Sequence, residues 1–179
     1  MIELVFPTLT HKHDALEYRK EHADNGENVI NGSAGFVHAD SYESWLKKVI
    51  MEQSDAPPGF VPSTTFFAMD GDRIVGMISI RHYLNDELLR SGGNIGYGVR
   101  PSERRKGYGP KMLALALKKC PSLGLEKALI TCDKSNTASA KTITKNGGVL
   151  ENEIEENGSI LQRYWVPLAP PAHNCYTTN

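Results

Sequence analysis

Arg104, Arg105 and Lys106 stand directly before Gly107-Tyr108-Gly109, and an apolar-periodic stretch follows from Pro110. Three cations beside two glycines and a helix start are the ingredients of an anion site. The first backbone N–H groups of a helix have no partner within it, and the helix dipole favours negative charge there. Glycine lets a ligand approach the backbone closely. The spacing therefore predicts a phosphate or pyrophosphate ligand. Two common phosphate loops do not fit. The string G-x-x-x-x-G-K-[ST] does not occur. The G-x-G-x-x-G pattern fails because Met112 stands third after Gly109, and Pro101 third after Gly98.

The elements around this turn must position it. Ile95 to Val99 reads as a strand ended by Pro101, and the helix after the turn runs to about Lys119. What stands between is V-x-P-x-x-R-x-x-G-x-G, from Val99 to Gly109. This resembles the central acetyl-CoA-binding motif of the GNAT superfamily of N-acetyltransferases. The R/Q-x-x-G-x-G/A core of that motif falls on Arg104, Gly107 and Gly109. A second segment is similar to the family's next motif: a strand from Lys127 to Cys132, then Asn136, Ser139 and Lys145-Asn146-Gly147-Gly148. The resemblance spans about Thr64 to Val166.

The resemblance implies acetyl-CoA as co-substrate and assigns tasks to residues. Backbone N–H groups of Arg105, Lys106, Gly107, Tyr108 and Gly109 would hold the pyrophosphate, with the Arg105 and Lys106 side chains adding charge. Arg104 joins them by its place in the motif. Tyr97 and Val99 would pair with the pantetheine amides across a gap left where the strand at Lys127 splays away. A backbone N–H near Val99 would polarise the thioester carbonyl. Asn136 and Ser139 would help hold the pantetheine arm and phosphates; both also suit a helix cap. Pro110 has no N–H, so one donor is missing, although proline also favours the first helical position. Gly96 and Gly98 share one strand face, and a bulge or a bound ligand would explain them.

The proton-transfer groups depart from the family pattern. Many members carry a glutamate five residues before the asparagine and a tyrosine seven after it; here these positions are Thr131 and Ile143. The remaining catalytic candidates are Asp133 as base, and Tyr97 or Tyr164 acting through water. A route through water alone is the third reading. The bland reading makes Asp133 a turn residue and both tyrosines half-buried sheet residues. His11, His13, His22, His38 and His82 have no metal spacing and read as surface or loop residues, with His82 near the acceptor cleft. Trp45 and Trp165 read as core.

The implied activity is transfer of acetyl from acetyl-CoA to a primary amine by direct attack in a ternary complex. The alternative is a catalytically weak or inactive CoA-binding regulatory module; an unrelated nucleotide-binding domain is a third reading. The acceptor would be a small-molecule or peptide amine. Ala23 to Asp40 and Asn85 to Gly93 would shape its site, and Glu27, Asp40, Asp86 and Glu87 there suit a cationic amine.

Composition agrees with a single enzyme-sized domain. The chain has 179 residues, a net charge of −1, 40% hydrophobic and 23% charged residues. The basic cluster is too small for a nucleic-acid footprint, and no apolar run reaches the length of a membrane span. No signal peptide is evident, so a cytoplasmic location is the expectation. A homodimer is left open. The three cysteines, Cys120, Cys132 and Cys175, have no metal spacing.

The order of elements reads as strand, two helices, three strands, helix, strand, helix, two strands. The first helix is expected at His13 to Ala23 and the second at Ser41 to Gln53, with Asp40-x-x-Glu43 as capping box. Hairpins are expected around Asp70-Gly71-Asp72 and Asn157-Gly158. The fold class is α/β, a single GNAT-like domain with a mixed central sheet of about seven strands and about four helices. It would occupy residues 1–168, with 169–179 a flexible tail.

Overall fold

Apolar alternation and caps place seven strands and four α-helices in the expected order. They are β1 (Ile2–Val5), α1 (Lys12–Asp24), α2 (Tyr42–Met51), β2 (Ser63–Asp70) and β3 (Arg73–Arg81). Next come β4 (Ile95–Val99), α3 (Tyr108–Lys119), β5 (Lys127–Asp133), α4 (Thr137–Lys145), β6 (Val149–Glu156) and β7 (Ser159–Pro167). The computed structural model describes residues 1–169. The tail expected from Ala169, with Cys175, lies outside the described residues apart from Ala169 itself.

The strands divide into two sheets, β1-β2-β3-β4 and β5-β7-β6. The expected splay between β4 and β5 is the division. Asn94 is the joint. Its backbone N–H donates to Leu129 O at 2.7 Å. Its side-chain Oδ1 accepts from Leu129 N at 2.9 Å, and its Nδ2 donates to Arg81 O at 3.3 Å. This fully buried side chain replaces ladder bonds that backbone would otherwise make. Beyond it, the two strands share no ladder among the described residues.

Between them, β2 and β3 set the two halves of the core. The apolar run of β3 is buried on both faces. Ile74 and Met77 pack with Tyr18 of α1 and Trp45 of α2. Val75, Ile78 and Ile80 pack with Met112 and Leu113 of α3 and Ile143 of α4. Each half exists because helices cover opposite faces of the same sheet.

Local chemistry corrects several boundaries. The cap of α2 is Ser41, not Asp40: Ser41 Oγ accepts from Ser44 N at 3.0 Å, and Ser41 N donates to Ser44 Oγ at 3.2 Å. Ile50, in helical register with Trp45, Leu46 and Val49, is 51% exposed. Helix α3 starts at Tyr108, so Pro110 is its third residue. Its missing N–H still falls among the first four, which have no intrahelical partner anyway. The segment Asn85–Gly93 is not a plain connection. Leu88–Gly92 forms a π turn, closed by Gly93 N donating to Leu88 O at 2.7 Å. No helix among the described residues is long and apolar enough to cross a membrane.

Candidate active site

Hydrogen bonds alternate along an antiparallel strand, so β4 offers its two edges to different neighbours. Arg81 N donates to Asn94 O and Arg100 N to Val75 O. With the β3–β4 register, this assigns the N–H and C=O of Gly96 and Gly98 to β3. The N–H and C=O of Tyr97 and the N–H of Val99 therefore face the gap toward β5. Val99 O is met by Arg104 Nε at 3.2 Å.

Gly96 and Gly98 are explained by neither a bulge nor a ligand. The segment between α1 and α2 lies flat on that face of β4. A Cβ on Gly98 would stand 2.9 Å from Asn31 O, and one on Gly32 would stand 2.3 Å from Gly96 O. The close approach that two strand glycines signalled is made by the protein's own backbone. Trp45 Nε1 holds the segment by donating to Ser33 O at 2.8 Å.

The turn after β4 is strained where an anion would sit. Arg105 has φ 63° and Gly107 φ 81°; a left-handed arginine is uncommon. The backbone N–H groups of Arg105 to Gly109 have no hydrogen-bond partner among the described residues. Such a run of free amides is an anion nest. Among the described residues nothing lies within 4 Å of a Cβ on Gly107, so they leave the space above the turn open. The side chains around it differ in employment. Arg104 is committed to Glu27 through two bonds of 2.6 and 2.7 Å. Lys106 pairs with Glu103 at 2.9 Å. Tyr108 donates to Asp70 Oδ2 at 2.7 Å. Arg105 has no carboxylate partner among the described residues.

Behind the turn lies a charge network that sequence reading missed. Arg100, 4% exposed, donates to Glu21 at 2.6 Å, Asp14 at 2.9 Å and Ile74 O at 3.1 Å. His22 was expected at the surface, yet it is 1% exposed. It lies one helical turn after Tyr18, on the face of α1 turned to β4. Its Nδ1 stands 2.7 Å from Glu27, and burial pushes its pKa down. The neutral ring then donates from Nδ1, which leaves Nε2 buried without a partner among the described residues. The Arg104 guanidinium holds the Glu27 carboxyl down to about 2. Burial works against ionisation of Glu21, but Arg100 and Ser102 outweigh it and hold that carboxyl at about 2 as well.

An acid-sensitive fold follows. A depressed pKa stabilises above the unfolded value and is lost as pH falls through the folded one. His22 begins to cost stability below 6.5. Glu21 and Glu27 withdraw theirs between 4.5 and about 2. Each carboxylate is worth up to about 3 kcal/mol at neutral pH. Urea unfolding across this range should show stability falling in both windows, and Glu27→Gln should roughly halve the fall in the lower one, leaving the part due to Glu21. A melting temperature unchanged down to about pH 3 would contradict the assignment.

The remaining candidates occupy distinct places. Tyr97 OH lies 2.9 Å from Ser139 Oγ, and burial pushes its pKa up. Asn136 caps α4 by accepting from Ser139 N at 3.0 Å. Asp133 closes the turn after β5: its carboxylate accepts from Ser135 N at 2.7 Å and from Ser135 Oγ, and these bonds hold its pKa down. Tyr164 is buried and donates to Gln162 Oε1 at 2.7 Å. Thr131 donates to Ser91 O at 2.7 Å, and Ile143 is core. His82 faces Thr64 at 2.8 Å. Trp165 is half-buried beneath the Lys127 ammonium, 4.1 Å from the ring centre, whereas Trp45 is core. Of the acids expected to attract a cationic acceptor, Glu27 is spent on Arg104; Asp40, Asp86 and Glu87 are exposed. No cluster of His, Cys, Asp or Glu suited to a metal occurs among the described residues.

A family model described as an acetyltransferase (GNAT) domain matches residues 4–149. Among solved structures, the microcin C7 self-immunity acetyltransferase MccE, in complex with acetyl-CoA and AMP, is 19% identical with a TM-score of 0.68. The match covers 93% of this chain and 92% of that one. RimL, a ribosomal L7/L12 alpha-N-protein acetyltransferase in complex with coenzyme A, is 16% identical with a TM-score of 0.67, covering 93% and 94%. A variant of the spermidine N-acetyltransferase SpeG from Vibrio cholerae is 16% identical with a TM-score of 0.61, covering 93% and 94%. At these identities the likeness is one of fold. No curated protein sequence matches the chain.

Proposed function

This chain belongs to the GNAT acetyltransferase family, and from that premise we propose that it transfers the acetyl group of acetyl-CoA to a primary amine. One observation carries the reading. The free edge of β4 at Tyr97 and Val99 runs directly into a turn whose amides, Arg105 to Gly109, are unpaired among the described residues. A pantetheine arm laid along that edge would set its pyrophosphate on the turn and its thioester near Tyr97. Arg105 and Lys106 add charge to the phosphates, while Arg104 supports the turn from behind. Asn136 and Ser139 lie across the gap at the start of α4. On this reading residues 1–168 act as one catalytic domain in the cytoplasm. MccE and RimL, seen with acetyl-CoA and coenzyme A, support the co-substrate. SpeG and RimL support both small-molecule and protein amines as acceptors.

In the reaction the amine nitrogen attacks the thioester carbon in a ternary complex. A backbone N–H of the free β4 edge, near Val99, stabilises the developing oxyanion. As the C–S bond breaks, the thiolate needs a proton. Tyr97 suits this role by position: its side chain rises from the free edge of β4 with the hydroxyl protonated at neutral pH, and Ser139, 2.9 Å away, orients it. Asp133 is a weak base in its hydrogen-bonded turn, and Tyr164 is engaged with Gln162. The proton lost by the amine leaves through water.

The test is thiol release from acetyl-CoA with a panel of amines, beside calorimetric titration of CoA. Gly107→Glu should lower CoA affinity about a hundredfold, because it places a carboxylate over the nest and a side chain on left-handed backbone. Undiminished binding in a folded Gly107→Glu variant would remove the turn from the site. A second reading, a CoA-binding module without turnover, draws on Thr131 and Ile143. Both positions that usually carry acid–base groups are given to scaffolding here. CoA binding with no thiol from any amine would favour it.

A further inference from the structure

Beside the open edge of β4 stands a cation that the acetyl-CoA site does not use. Arg81 ends β3. Its Nη1 donates to Gly92 O and Gly93 O, both at 3.2 Å. The same Nη1 would lie 3.7 Å from a Cβ on Gly96, next to the Tyr97 peptide that faces the gap. Nε and Nη2 have no partner, and no carboxylate pairs with Arg81 among the described residues. This contrasts with Arg73, Arg90, Arg100, Arg104 and Arg163, each of which has an acidic partner. Burial pushes the guanidinium's pKa down, as expected of a charge without a counterion.

Capping the π turn explains one nitrogen. Thr131 and Arg163 already serve the carbonyls of Ser91 and Leu89, so the turn is held from three sides. The rest of the Arg81 fork is free to accept a carboxylate through two parallel bonds. The geometry points to Arg81 as the anchor for a carboxylate on the acceptor, so that the amine acetylated here belongs to an amino acid or a similar small amino-carboxylate. This rests on the acetyltransferase reading and names its substrate class. It also replaces the cationic acceptor that the four acids suggested. The distance fits a small molecule: Gly96 and Tyr97 are neighbours on a strand that rises about 3.3 Å per residue. A nitrogen near Tyr97 and a carboxylate at Arg81 are then only a few bonds apart.

The experiment compares common amino acids with their own amides, and with putrescine, as acceptors in thiol release. The native chain should favour the acid over its amide by about tenfold or more in kcat/KM, the worth of one charge-assisted pair. Arg81→Gln should bring the ratio close to one through KM, with CoA affinity unchanged, and Arg81→Lys should keep part of it. Thermal melting of both variants checks the fold. A native preference for amides or putrescine, or an equal loss on both members of a pair in Arg81→Gln, overturns the assignment. Should no amine release thiol, the transferase reading fails. Calorimetry of N-acetyl amino acids against their amides, with and without CoA, then decides the Arg81 site alone. Tighter binding of the acids that Arg81→Gln abolishes upholds it; equal binding overturns it.

Discussion

Replacing Arg100 by glutamine should cost about 3 kcal/mol of stability. The side chain is almost fully buried and joins three parts of the chain: α1 through Asp14 and Glu21, β3 through Ile74 O, and the approach to the turn after β4. Removing it leaves two carboxylates facing each other with part of their hydration lost. Stranding a charge costs more than the pair was worth. Two features limit the loss. Glu21 keeps Ser102 N at 2.7 Å and Arg73 at 3.7 Å, and Asp14 keeps Ile74 N. Urea unfolding of Arg100→Gln, Asp14→Asn and the double variant would isolate the coupling. The double variant should recover part of the loss, since it strands one charge fewer. A loss below about 0.5 kcal/mol would show that solvent reaches the network freely. The turn should suffer too, because Glu21 also holds the backbone of Ser102.

Gly32→Ala should be the most damaging single methyl group in the chain. Its φ is +75°, where a Cβ alone costs about 1–2 kcal/mol. The new Cβ would also stand 2.3 Å from Gly96 O and 2.8 Å from Tyr97 Cα. Both are backbone atoms in a paired strand and cannot turn aside. The segment must lift off β4, for a total of about 3 kcal/mol or more. Gly26→Ala is the control. Its φ is also +75°, with nothing within 4 Å among the described residues, so it pays only the backbone term. The difference between the two variants measures the contact. Since this segment covers the face of β4 beside Arg81, Gly32→Ala should raise KM for the acceptor and leave CoA binding close to native. Equal stability of the two alanine variants would show that the segment does not rest on β4 in solution.

The sequence-level expectations worked where the physics is local. The helix N-terminus at the basic turn, the cap at Asn136 and the left-handed pair at Asn157-Gly158 each depend on a few consecutive residues. Errors came where a local signal had two readings. Asp40 and Ser41 both suit a cap, and only the backbone angle decides which takes it. Ile50 has the right helical spacing, yet among the described residues no element covers that edge of α2. Gly96 and Gly98 announced a close approach correctly; they could not announce which backbone makes it.

By itself, then, the order of residues determined the elements, the strand–turn–helix that can hold an anion, and the family pattern carried by Arg104, Gly107, Gly109 and Asn136. Those depend on periodicity and on backbone freedom within a short window. Only the tertiary structure decided that Arg104 serves Glu27, that His22 and Arg100 are interior, that Asn94 joins the sheets and that Arg81 meets no counterion among the described residues. Each of these depends on a partner brought close by packing from elsewhere in the chain: Glu21 and Arg100 are 79 positions apart, and Glu27 and Arg104 are 77 apart. A charge's employment is set by its neighbours in space, and spacing along the chain carries no record of them.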